Sequence, residues 1–119
     1  MTLEEALVQA IGPLVGERVY PDVTPAGVQF PCVTYQQVGG DSKWYADQKV
    51  ADKQPARIQI NVHSQRRLEA NQLARQIERS IATSFSESQS YGGFIALYDD
   101  GPKLYGTRQD FGIQFAVSL

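Results

Sequence analysis

The sequence predicts an α+β domain: a mainly antiparallel or mixed sheet of four to five strands with two helices packed on one face, in the order α-β-β-β-α-β-β. Three observations lead there. Residues 56–63 alternate strictly, with Ile58, Ile60 and Val62 on one side and Arg57, Gln59, Asn61 and His63 on the other. That is the period of a half-buried strand. Two segments, one at the N-terminus and one over residues 65–84, change to helical spacing, each with a single apolar stripe. Runs rich in aromatic and β-branched residues then follow the second helical segment to the end of the chain.

The first helix opens on Thr2 and Glu5, the spacing of a capping box in which hydroxyl and carboxylate each satisfy an orphan amide. Leu3, Ala6, Leu7, Ala10, Ile11 and Leu14 form its stripe. Gly12-Pro13 interrupts that stripe, and a proline there removes an internal hydrogen bond, so the regular helix ends near Ile11 with an irregular turn to Val15-Gly16. Arg18-Val19-Tyr20 is a short extended piece. Residues 21–31 hold three prolines and Gly27 and read as an extended polar connection. Residues 32–38 are the next strand, Val33 and Tyr35 on one face and Cys32, Thr34, Gln36 and Val38 on the other, ended by Gly39-Gly40.

Residues 41–54 keep neither period and form a long, mobile loop, a kind of connection that is usually functional. After the alternating strand, Ser64 caps the second helix, whose stripe is Ala70, Leu73, Ala74, Ile77 and Ile81. Arg75 and Glu78 are spaced as a weak ion pair on its wet side. Residues 85–93 are a Ser-rich loop, residues 94–98 a strand, and Asp99-Asp100-Gly101-Pro102 a turn. Leu104-Tyr105 and residues 110–119 run extended, with Phe111, Ile113, Phe115 and Val117 alternating, and the last two strands pair as an antiparallel hairpin. With both helices on one face, the other sheet face is polar: Arg57, Gln59, Asn61, Gln114 and Ser118.

The 119 residues fit one domain, 1–119, and 42% apolar against 20% charged residues supply a core. A net charge of −2 argues against a dedicated nucleic-acid binder, and the arginines of the second helix (Arg66, Arg67, Arg75, Arg79) lack interleaved aromatics. No apolar run is long enough to cross a bilayer, and the acidic start MTLEEALVQA is unlike a signal peptide. With one cysteine, Cys32, there is no intramolecular disulfide, so a soluble protein of a reducing compartment is expected.

The chemistry in the chain is sparse. His63 is the sole histidine, on the wet face of a strand without a suitably spaced carboxylate, and reads as an ordinary surface residue more readily than as a base or ligand. Cys32 lies between Pro31 and Val33 as a small strand residue. Asp99-Asp100 belong to turn chemistry, and Gly39-Gly40 and Gly92-Gly93 fit no phosphate-cradling pattern. Neither catalytic residues nor a metal or cofactor site is expected. Trp44 and Tyr45 stand out instead. Such residues are enriched at the energetic centre of interfaces, and in a charged loop they either fold back on their own domain or order against a neighbour.

Arg18-Val19-Tyr20-Pro21 and the run from Phe30-Pro31-Cys32-Val33-Thr34-Tyr35 through Gln36-Gln37-Val38-Gly39-Gly40 resemble the phage tail completion, or tail terminator, family. The likeness continues through Arg57-Ile58-Gln59-Ile60-Asn61-Val62, the helix around Glu69-Ala70-Asn71-Gln72-Leu73-Ala74, and the closing Gly112-Ile113-Gln114-Phe115-Ala116-Val117. It covers nearly the whole chain and rests on the order and spacing of the pieces. Cys32 departs from it, standing where a bulkier residue is expected after Pro31.

The resemblance implies a non-enzymatic virion component encoded by a phage or prophage. Such subunits assemble as a homo-oligomeric ring, commonly a hexamer, that caps the tail tube and helps join tail to head. The implied partners are further copies of itself, the tail tube protein and head–tail connector proteins, with no membrane and no specific nucleic acid. The implied location is the virion tail, and the host cytoplasm during assembly. The interface candidates are Asp41, Lys43, Trp44, Tyr45, Asp47, Lys49 and Lys53 in the loop, with Arg57, Gln59 and Asn61 on the polar sheet face. Other readings are a head–tail connector stopper, a minor tail subunit, or, from another class, a small soluble enzyme using His63 with a carboxylate.

Overall fold

A computed structural model describes residues 1–116. Thr2 caps α1 (Leu3–Ile11): its hydroxyl accepts the Glu5 amide at 3.1 Å, and the Glu5 carboxylate lies 3.4 Å from the Thr2 amide. The capping box is thus formed as the sequence predicts. At Gly12-Pro13 the helix tightens into a single 3-10 turn, Gly12–Leu14, because proline cannot continue the α ladder.

The strands are β1 (Val19–Pro21), β2 (Cys32–Gln37) and β3 (Lys53–Ser64) before α2 (Arg67–Ser84), then β4 (Ser88–Ser90), β5 (Ile95–Asp99) and β6 (Leu104–Ala116). They form one six-stranded mixed sheet in the order β1-β2-β3-β6-β4, with β5 also pairing β6. Among the described residues β1 and β2 are the one parallel pair. The fold is the predicted α+β, with one strand more than expected.

β3 and β6 pair antiparallel over the whole of β3, from Lys53↔Ala116 to Ser64↔Tyr105. One edge of β6 is filled by β3; the other is shared by β5 over Leu104–Arg108 and β4 over Phe111–Ile113. One face carries Ile58, Ile60, Val62, Phe111 and Ile113, joined by Val33 and Tyr35, and the helices close over it with Leu7, Ile11, Ala70, Leu73, Ile77 and Ile81.

Gln109 is the longest of the buried polar side chains on the apolar face, which also holds Thr107 and Ser64. It is 6% exposed, and its Nε2 lies 2.9 Å from Glu78 Oε1, 3.0 Å from Ser90 Oγ and 2.9 Å from Gly92 O. Glu78 therefore serves β6, and the expected Arg75–Glu78 pair does not form. Arg75 instead lies over the Phe94 ring, 5.2 Å from its centroid.

Several boundaries differ from the sequence reading, each for a local reason. β3 begins at Lys53 and takes in Pro55. The amide of Arg57 points away from β6, to Gly39 O, and by the pleat the missing N–H of Pro55 points the same way, where β2 has already ended. Gly40, at φ +120, makes room there, since a Cβ on it would lie 2.5 Å from Pro55 O.

The Ser-rich stretch contains β4, which is polar and three residues long and so gives no periodic signal; backbone pairing holds it. Leu104-Tyr105 and the closing run are one continuous strand, because Gly106 to Gln109 remain paired with β3. Its predicted end, with Val117 and Ser118, lies outside the described residues. Ser64 is not the cap of α2. It ends β3, and Arg66 is the N-cap. Ser64 Oγ still accepts the Arg66 amide at 3.1 Å and donates to Glu69 at 2.7 Å, so it secures the helix entry from two residues upstream.

Phe111 is among the largest fully buried side chains. Phe111→Ala should lower unfolding free energy by about 3–5 kcal/mol, read by denaturant titration, through lost transfer energy and the cavity left behind.

Candidate functional site

The predicted interface residues fall into two groups. Residues 41–54 are a narrow hairpin lying at the β3 Lys53 end of the sheet. Trp44 and Val50 form an antiparallel bridge, flanked by bonds from the Tyr45 amide to Lys49 O at 2.7 Å and the Ala51 amide to Lys43 O at 2.9 Å. Gln54 ties the base, accepting the Lys43 amide and donating to Lys43 O and Ala51 O. Trp44 and Tyr45 are each 59% exposed, so neither folds back into the core. The Trp44 indole N–H donates to Ser42 Oγ at 3.2 Å. Asp41 is exposed; Asp47 accepts the Lys49 amide, and Lys53 pairs with Glu87 across to the chain before β4.

The second group lies on the outward sheet face. Arg57 donates to Asp110 Oδ2 at 2.9 Å and lies over the Tyr91 ring, 4.3 Å from its centroid. Tyr91 in turn covers Gly112, where a Cβ would meet its hydroxyl at 2.9 Å. Asn61 donates to Gln59 at 3.2 Å. This face is wet at Arg57 and dry toward β2, where Cys32 and Thr34 are buried. A uniformly polar face was expected, so that end is a correction.

His63 is half-buried beside a shallow hollow of about 220 Å³ that also touches Leu97, Asp99 and Gly106. Its Nε2 lies 3.0 Å from Thr34 Oγ1, and among the described residues no carboxylate oxygen comes within 4.0 Å of its ring nitrogens. The carboxylate-held imidazole that an acid–base centre requires is not assembled. Burial lowers the His63 pKa below its ordinary 6.5. Burial also raises the Cys32 thiol, against a smaller opposing pull from Arg18, so it stays protonated and unreactive. Among the described residues no cluster of three or more His, Cys, Asp or Glu could hold a metal. No helix there is long and apolar enough to cross a membrane.

Sequence reasoning missed the surface at the opposite end of β3 and β6. Every residue of β5 is exposed, including Ile95, Leu97 and Tyr98. Arg67, from the first turn of α2, holds this hairpin by donating to Gly106 O at 2.9 Å and to Leu97 O, with its guanidinium 5.2 Å from the Tyr105 ring centroid. An apolar run such as Ile95-Ala96-Leu97-Tyr98 reads as a buried strand. Nothing in its pattern says that its outer edge is left open.

These features define a class: a small α+β subunit whose outward chemistry consists of exposed aromatics and sheet edges. Residues 5–113 match the family model of Tail completion protein gp17, and the chain belongs to that family, whose role in tail assembly is structural. Its fold is similar to that of a chain in the solved virion of a native gene transfer agent particle, at 15% identity and TM-score 0.55, covering 98% of this chain and 96% of that one. Among curated proteins none matches.

The lowered His63 pKa has a definite sign. The unfolded chain takes up this proton first, so the contribution is fully present above about pH 6.5 and is lost as pH falls below it. His63→Gln should flatten the wild-type loss of stability between about pH 7 and about pH 5, measured as the difference in thermal midpoint between variant and wild type.

Proposed function

We propose that the chain caps the tail tube as a ring of identical subunits and presents the surface on which the head is joined. The observation that supports this is the pair of unlike exposed apolar patches at opposite ends of the β3–β6 ladder. Trp44, Tyr45 and Val50 lie beside Lys53, while Ile95, Leu97 and Tyr98 lie beside the Ser64 end. Closed rings are built from heterologous contacts, in which one patch of each subunit meets a different patch of the next. Two complementary patches, some distance apart on an elongated body of 52 × 27 × 26 Å, suit that geometry. The family assignment sets the context, and no reacting side chain is needed.

In this reading residues 41–54 make the contact to a neighbouring subunit or to the tube, and the outward face around Arg57, Gln59 and Asn61 faces a second virion partner. The partners are other copies of the chain, tail tube protein and connector proteins. The chain acts in the virion tail after assembly in the host cytoplasm.

Electron microscopy of cells lacking the gene tests the reading. Overlong or unjoined tails are the expected result. Heads that lose their DNA beside normal tails would instead indicate a connector stopper, and normal joined particles would overturn the proposal altogether. Trp44→Ser with Tyr45→Ser should leave the unfolding midpoint unchanged, since both side chains are exposed, yet reduce joined particles sharply in complementation. Wild-type particle yield from that variant would remove the hairpin from the assembly contact.

A further inference from the structure

The two lateral edges of the sheet are not equivalent. On the β1 side, the Val33 amide donates to Arg18 O and the Asp22 amide to Tyr35 O, so Val19 and Pro21 turn their backbone groups outward. Pro21 has no N–H, and its carbonyl is taken by the Val23 amide at 2.7 Å. That edge is three residues long and is blocked at Pro21, two of the usual ways in which exposed sheet edges are protected.

The β5 side is open. The Tyr91 amide donates to Asp110 O, and the Gln114 amide to Glu87 O, so the even-numbered residues of β6 face the β4 and β5 edge. The register Ile95↔Arg108, Leu97↔Gly106, Asp99↔Leu104 therefore makes these the bonded pairs. Ala96 and Tyr98 then point their N–H and C=O groups away from the sheet. Among the described residues no proline or lysine of β5 and no backbone hydrogen bond from another segment protects them.

The hairpin at the other end of the molecule has a matching edge. Its bridge is the non-bonded kind, flanked by the two hydrogen bonds above, so Trp44 turns its N–H and C=O outward. We propose that the arm Lys43-Trp44-Tyr45 of one copy adds antiparallel to the open edge of β5 in the next copy, in the register Lys43↔Asp99, Trp44↔Tyr98, Tyr45↔Leu97. This rests on the ring reading above and specifies its subunit contact.

Backbone chemistry and side chains agree on that register. Trp44 and Tyr98 are the residues with outward-facing backbone groups, and as a bonded pair they exchange both hydrogen bonds. Lys43 then stands opposite Asp99 on one face, Tyr45 opposite exposed Leu97 on the same face, and the two aromatic rings pair on the other. Opposite-charge and aromatic cross-strand pairs are the favourable ones. Among the described residues Lys43 has no carboxylate within 4.0 Å, and Asp99 no cation. Strand addition gives affinity through the main chain and specificity through alternate side chains.

The test uses tails isolated from cells that produce them. Lys43→Cys and Asp99→Cys, combined in one chain, should give a disulfide ladder of linked subunits under oxidising conditions. Non-bonded antiparallel pairs bring Cβ atoms within roughly 4.5–5.5 Å, and the native Cys32 is buried. Neither single variant should form it.

Independently, Lys43→Asp or Asp99→Lys alone should lower the amount of chain per tail several-fold, and the two reversals together should restore it. Tails that carry the cysteine pair without a ladder overturn the register. Charge reversal without recovery in the double variant overturns it as well, including where the cysteine pair fails to reach the tail. Abnormal tails in cells lacking the gene, with no ladder in the variant, would retain the ring reading and remove only this contact. Normal tails in those cells would remove both.

Discussion

The pairing of β3 with β6 is the constraint on which the rest of this molecule depends. Among the described residues it is the longest ladder in the sheet, with β2 on one side of it and β4 and β5 on the other. Its pleat sorts Ile58, Ile60, Val62, Phe111 and Ile113 toward the helices and Arg57, Asn61, Arg108 and Asp110 away from them. Its length also separates the two ends of the subunit. The hairpin before Lys53 and the β5 edge beside Leu104 sit apart because two long strands lie between them.

The helices contribute more than a cover for the apolar face. Arg67 reaches from α2 to the carbonyls of Gly106 and Leu97, and Ser80 Oγ donates to Ala10 O at 2.7 Å between the helices. Besides Arg67, β5 is held by its pairing with β6 and by the Tyr98 ring, whose centroid lies 4.9 Å from that of Tyr105. A strand that buries so little of itself is kept in place by hydrogen bonds, one cation and one aromatic contact, and its outer edge stays open.

Much of the fold was legible because apolar periodicity sets it. The stripes of both helices and the alternation in residues 56–63 emerged with the burial that the spacing implied, and the Thr2–Glu5 box formed as read. What was not legible has no periodic signature. β4 is Ser-Gln-Ser and owes its conformation to neighbours distant in sequence. The stretch Gly106 to Gln109 resembles a turn until β3 is placed beside it. In the candidate site, the exposure of Trp44 and Tyr45 agreed with their charged surroundings. The partnership of Arg57 with Tyr91 and Asp110, and the openness of β5, needed the register of strands far apart in the chain. His63 read on sequence as an ordinary surface residue; it is half-buried instead, with Thr34 as its hydrogen-bond neighbour.

Gln109 has one more consequence. A slide of β6 along β3 by a single residue would expose the whole apolar set, but a slide by two would keep every large side chain on its proper side. Hydrophobic sorting is therefore blind to the second error. The amide of Gln109 is not: moved by two places it would leave Glu78, Ser90 and Gly92 behind and lie stranded in a dry environment. One buried amide thus acts as a key that admits a single alignment, and with it a single spacing between the two ends of the subunit.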